Sequence, residues 1–238
     1  MRLVVPQSDI LRFIVENGYR PGDPLPTIQE ISRAMDSSVA KTREALEVAR
    51  ALGAVEIKPG RGTRVSAFSF APAATLCALY AIGLDSAHFE HLSELRNALE
   101  AHFWEAAVSA LTTEDIAALR SIIDAAREKL ASQPVQVPAS EHRQLHLTLF
   151  ARLENPFVLG ILEAFWEAYD TFGFNVYTDI DYHRQVWDYH ERIVAALEGG
   201  DIAGGRHLLI EHMHLLSHRR AVPSGYRLSS DPRLAGFE

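Results

Sequence analysis

The 238-residue chain is long enough for one large domain or two ordinary ones, and its 47% hydrophobic and 9% aromatic content supports a packed core. No long apolar run and no leader-type N-terminus occur, so a membrane-spanning helix is excluded and a cytoplasmic protein is expected. The single cysteine, Cys77, excludes an intrachain disulfide framework and a cysteine-based zinc cluster. The net charge of −8 is unevenly spread. Residues 1–66 carry ten Lys/Arg against eight Asp/Glu, whereas the remainder carries thirteen against twenty-three. A mildly basic head on an acidic body leaves only the head suited to approach a phosphate backbone.

In chain order, residues 7–17 place Ile10, Phe13 and Ile14 on one helical face. Pro21, Pro24 and Pro26 force an extended connector. Thr27 and Glu30 form a capping-box pair for a second helix that runs to Met35 and buries Ile28, Ile31 and Met35. After a polar turn at Asp36-Ser37-Ser38, either serine is a suitable cap for a third helix ending near Leu52, with Ala45, Leu46, Ala49 and Leu52 inward. Ser38, Lys41, Thr42 and Arg43 then occupy its first two turns, where a recognition helix places its base-reading side chains. Alternation at Val55–Lys58, the turn residues Pro59 and Gly60, and the return from Gly62 to Val65 predict a two-stranded wing with Arg61 and Arg64 on it. A helix-turn-helix with a basic wing fits a DNA major groove and reaches the groove beside it.

These residues carry a specific resemblance. Pro21-Gly22 with Leu25-Pro26, Thr42-Arg43-Glu44-Ala45-Leu46 and Gly60-Arg61-Gly62-Thr63-Arg64-Val65 resemble the GntR family of bacterial transcription regulators across the whole head. The resemblance implies double-stranded operator DNA as partner, touched at Ser38, Lys41, Arg43 and Gly60. Gln29 and Val39 depart from it, standing where many relatives have arginine.

Residues 67–74 lack helical periodicity and read as a linker. Beyond them the pattern is helical throughout, with helices expected over 75–83, 86–111, 113–132, 139–153, 156–178, 181–199 and 201–221. Pro134, Pro138, Asn155-Pro156 and Gly199-Gly200-Asp201 punctuate them. Residues 223–238 read as an irregular tail. The fold class is therefore mainly α: a winged helix-turn-helix over 1–66, then an all-α bundle over 75–222. All eleven histidines fall at or after residue 88. His142 and His146 share a helix face at i,i+4; His190 and His212 lie on two later helices. Bundle metal sites are built by convergence of such side chains on one interior point, and neutral imidazole suits a transition metal. Buried histidines also serve as plain hydrogen-bonding core residues, and His214 and His218 repeat the same spacing.

The body resembles the FCD-type effector domain of the FadR branch. The resemblance rests on His142-Arg143-Gln144-Leu145-His146 with Asn155-Pro156, on Tyr189-His190-Glu191-Arg192-Ile193, and on Glu211-His212. It implies a homodimer with a divalent metal held by His146, His190, His212 and the residue at position 142, which is aspartate in relatives with the full motif. Here that leaves a four-histidine site favouring Zn or Ni, or one in which Glu141 takes the acidic role, or weakened metal binding. Arg96 matches the family arginine that grips a small organic acid; its alternative is an ion pair with Glu100 at i,i+4. Two further readings are the metal itself as signal, and a metal-dependent enzyme, for which the chain offers no HExxH and no nucleophile–base arrangement.

Overall fold

The computed structural model describes residues 8–58, 60–172 and 180–217. Gln7, Pro59, His218, the expected helical residues 173–178 and 218–221, and the tail 223–238 lie outside the described residues.

The head consists of α1 (Asp9–Glu16), α2 (Ile28–Ala34), α3 (Val39–Ala51), β1 (Val55–Lys58) and β2 (Gly62–Val65). Its helix starts are fixed by side chains that satisfy the orphan N–H groups of a first turn. Thr27 Oγ1 accepts from the Glu30 N–H, and Glu30 Oε2 accepts from the Thr27 N–H at 2.8 Å, completing the capping box. Ser38, not Ser37, caps α3, accepting from the Lys41 N–H at 3.2 Å. Between α2 and α3 the chain turns through Asp36 at φ 47°, the left-handed region that aspartate tolerates better than most residues. β1 and β2 pair antiparallel, Val55 opposite Val65 and Lys58 opposite Gly62. The proline-rich connector is tied to the wing: the Gly22 N–H donates to the Val65 carbonyl and the Leu25 N–H to the Thr63 carbonyl, both at 2.8 Å. Ile10, Ile14, Ile31, Leu46, Ala49, Val55 and Val65 close one core beneath all five elements.

The body holds α4 (Ala71–Leu84), α5 (His88–Val108), α6 (Thr113–Ala131), α7 (Ala139–Leu149), α8 (Pro156–Thr171), α9 (Ile180–Glu198) and α10 (Ile202–Ser217). Residues 71–74, expected to be linker, are instead the first turn of α4. Pro72 sits where a helix needs no amide hydrogen, so the residue that argued against a helix begins one. α7 is shorter than expected and stops at Leu149, with Asn155 capping α8 through the N–H groups of Phe157 and Val158. Trp104, Leu119, Ile123, Leu145, Leu149, Leu162, Trp187, Ile193 and Leu209 fill the interior, each worth about 1.5–3 kcal/mol or more of transfer free energy. No described helix is long and apolar enough to cross a membrane.

Head and body meet at a tight junction. A Cβ on Gly160 of α8 would lie 2.7 Å from both Ala71 N and Phe70 Cβ, so α4 starts against bare backbone. On the other side Pro72 presses on Gly53, which ends α3 at φ +74°. Gly160→Ala gains about 1 kcal/mol of helix propensity, but the clash is with backbone that cannot yield cheaply, at about 1–3 kcal/mol. We expect the urea midpoint to fall for Gly160→Ala, while Gly83→Ala, whose added methyl meets nothing within 4 Å, leaves it equal or higher.

Candidate functional site

On the head, Ser38, Lys41, Arg43, Gly60 and Arg61 are exposed. Thr42 is not: it is 0% exposed, and its hydroxyl donates to the Ser38 carbonyl at 3.0 Å. Its place in the expected DNA-contacting set is therefore corrected, because it lies on the inward face of α3 with Leu46 and Ala49. Arg64 is also spoken for, its Nη1 donating to the Gly22 carbonyl at 2.8 Å. Lys41 lies 3.6 Å from Asp9, an exposed pair that costs little to break.

The second site lies inside the body. α5 supplies Arg96 and Glu100, α7 supplies His142 and His146, α9 supplies His190, and α10 supplies His212. All six side chains are buried, the most open being His142 at 8%. One ring nitrogen from each of the four histidines falls within 4.8 Å of the others. The convergence expected from the sequence is thus realised, and Glu141 has no part in it. Its carboxylate faces outward to Lys129 Nζ at 2.7 Å and accepts from Ser140.

His190 Nε2 lies 3.3 Å from His146 Nε2 and 3.1 Å from His212 Nε2. A ring nitrogen has one proton or one lone pair, so His190 Nε2 cannot make two good hydrogen bonds at once. A cation at the common point uses all the lone pairs together. Zn–N bonds of about 2.0–2.1 Å in tetrahedral geometry set ligand nitrogens about 3.3 Å apart, which these two separations match, while the set of four spans up to 4.8 Å. His142 Nε2 is buried without a hydrogen-bond partner, as are His190 Nδ1 and His212 Nδ1. The donor set therefore fits a divalent late transition metal, neutral nitrogen ligands disfavouring Mg or Mn.

Arg96 sits beside this set. Its Nε donates to Glu100 Oε1 at 2.8 Å, its Nη1 to Asn97 at 3.1 Å, and its Nη2 lies 2.8 Å from His146 Nδ1. The i,i+4 ion pair with Glu100 is thus present, but at 1% and 0% exposure rather than on the surface. Glu100 Oε1 is also 3.2 Å from His146 Nδ1. The two contacts at Nδ1 ask for opposite tautomers: Arg96, which only donates, needs a lone pair there, whereas a proton on Nδ1 directed at Glu100 leaves the lone pair on Nε2 that a metal ligand needs. From α8, Phe165 and Trp166 cover the guanidinium at 5.1 and 5.4 Å, and Trp166 lies 4.7 Å from the His142 ring. Trp166 is a participant that spacing did not single out, and Glu100, singled out only as the ion-pair partner of Arg96, also reaches His146.

Burial, the largest cause, holds all four imidazoles well below the ordinary histidine range; Arg96 adds to the effect at His146. Burial pushes the Glu100 carboxyl up, with Arg96 opposing it. Tyr169 is pushed up to about 12 by burial.

A winged helix-turn-helix head on a helical body defines a DNA-binding regulator in outline, and sequence comparison supplies the family. Residues 8–65 match the bacterial regulatory proteins of the gntR family, and residues 91–215 match the FCD domain. The chain belongs to the FCD-containing gntR-family transcription regulators. It is 26% identical over 217 residues to the Uxu operon transcriptional regulator of Escherichia coli, covering 87% of this chain and 82% of that one. It is also 26% identical over 224 residues to the HTH-type transcriptional regulator LutR of Bacillus subtilis, covering 90% and 97%. A solved Streptococcus agalactiae GntR structure shares the fold, with TM-score 0.62, 19% identity and coverage of 89% of this chain and 98% of that one. These proteins are regulators, and the enzymatic alternative falls away.

The depressed imidazoles carry a consequence for stability. Below about pH 6.5 the unfolded chain protonates its histidines while these four stay neutral in the fold. Stability is therefore present above that pH and is lost as pH falls, by up to about 1.4 kcal/mol per pH unit for each histidine. Glu100, raised in the fold, acts oppositely but is one group against four. For metal-free protein, denaturant midpoints are expected to be level from pH 8 to 7 and to drop steeply from 6.5 to 5. A level midpoint across both intervals would contradict their burial.

Proposed function

We propose that this regulator, of the FadR branch, acts in the cytoplasm as a homodimer on a palindromic operator, and that a small organic acid bound at a four-histidine metal centre modulates its DNA affinity. The observation that carries the metal is His190 Nε2 between two other ring nitrogens, a geometry hydrogen bonding alone does not satisfy. His142, His146, His190 and His212 would hold Zn or Ni, which when bound supplies a Lewis-acidic positive charge. Charge balance supports an acid as effector. Arg96 and Glu100 cancel and the imidazoles are neutral, so a divalent ion leaves positive charge that a carboxylate offsets, with Arg96 held in place beside it. On the head, Ser38, Lys41, Arg43, Gly60 and Arg61 form the DNA-contacting set; the −10 body stays away from phosphate.

The route from site to head runs along α8. Trp166 covers the histidines at one end, and Gly160 meets Phe70 and Ala71 at the other, one residue from the Pro72–Gly53 contact. The complete enclosure of the histidines favours a second reading, in which the metal alone is the signal.

Purified protein analysed for metal and by native mass spectrometry is expected to hold one Zn or Ni per chain, lost in His190→Ala. No stoichiometric metal, and no thermal shift on adding either ion, overturns the metal centre. Gel shifts on its own promoter region are expected to show selective binding that weakens about tenfold or more in Arg43→Ala. Titrating metal with and without small acids separates the two readings. No selective binding under any of these conditions defeats the regulatory assignment.

For the homodimer, α4 has no charged residue in its fourteen and leaves Leu76, Tyr80 and Leu84 exposed at i, i+4, i+8. A second copy, brought alongside by a two-fold operator, is the fitting cover. Sedimentation is expected to give a dimer for the native chain and a monomer for Tyr80→Glu/Leu84→Glu.

A further inference from the structure

Val39 is the first residue of α3 and is 39% exposed. Ser38, Ala40, Lys41 and Arg43 around it are also exposed, whereas Thr42, Leu46 and Ala49 form the buried face. Val39 is thus a branched apolar side chain on the outward first turn of the second helix of a helix-turn-helix. The N-terminal residues of that helix are the ones that meet base edges in the major groove. The valine side chain has no donor or acceptor, so it cannot hydrogen-bond phosphate, guanine or adenine. The base-edge feature that rewards an alkyl side chain is the C5 methyl of thymine. Ala40 beside it adds no bulk, and Lys41 and Arg43 supply the charged contacts. We propose that Val39 is a specificity-determining residue that packs on a thymine methyl in each operator half-site. The proposal rests on the DNA-binding role of α3 and adds to it the base that this chain selects.

The test begins with sites enriched from a random duplex pool by the full-length protein. Each thymine of the enriched half-site is then replaced by deoxyuridine, which removes the methyl and nothing else, and affinity is read by fluorescence anisotropy. One thymine per half-site is expected to weaken binding about fourfold on losing its methyl, the worth of one buried carbon. Val39→Ala, a better helix former at an exposed position, retains the fold and is expected to be indifferent to that replacement. Val39→Arg is expected to shift enrichment at that position toward guanine. Selective binding with no methyl-sensitive thymine, or sensitivity that persists in Val39→Ala, overturns the proposal and leaves DNA binding standing. Failure to enrich any site sinks the proposal together with the DNA-binding role it rests on.

Discussion

The Arg96 guanidinium, 1% exposed in the middle of the body, is the charge around which the helices are arranged. A buried ion unpaired would cost several kcal/mol, so its surroundings are not free to vary. Glu100 one turn along neutralises it, Asn97 takes a second N–H, and the His146 ring and the faces of Phe165 and Trp166 close the rest. Such a pair adds little net stability compared with well-packed apolar side chains. What it provides is position: α5, α7 and α8 are held at fixed distances around the point where the four imidazoles meet. The same surroundings keep those imidazoles neutral, which is the state in which they can donate lone pairs.

Neutrality has a cost in a metal-free protein. Four rings crowd one point, three Nε2 atoms compete for one another, and His142 Nε2 has no partner. Elsewhere in the body polar groups are matched, as in the Arg127–Glu191 pair at 2.6 Å or Trp104 donating to the Ile202 carbonyl at 2.9 Å. Among the described residues, His142 Nε2, His190 Nδ1 and His212 Nδ1 of the cluster are buried without a hydrogen bond, as are Glu100 Oε2 and Trp166 Nε1 beside it. With histidine at position 142 in place of a carboxylate, the protein contributes no negative charge of its own beyond Glu100.

The head was legible because its signals are short-range. Capping boxes, a Gly turn and alternating strands act within a few residues, and Thr27–Glu30, Ser38 and Val55–Lys58 appeared where those rules put them. Thr42 was misplaced although its signal was present: it stands at i, i+4, i+7 with Leu46 and Ala49, on the core face. Pro72 misled because a proline that breaks a helix interior is welcome in a first turn. The histidine centre was half legible. The His142–His146 spacing showed one face of one helix, but whether His190 and His212 meet it depends on how α9 and α10 pack against each other, which no local pattern encodes. The choice against Glu141 was likewise tertiary, decided by Lys129 drawing it outward.

The junction at Gly53, Pro72 and Gly160 bears on how such chains diversify. A winged head and a helical body look like exchangeable parts, free to be recombined into sensors with new operators. Here they are keyed to each other by two missing side chains and one ring. A head that ends its third helix with anything larger than glycine would not seat on this body. A body that fills the gap at residue 160 would displace the start of α4. Exchange between relatives therefore has no neutral crossover here: a join before Phe70 parts Pro72 from Gly53, and a join beyond Pro72 parts Phe70 and Ala71 from Gly160.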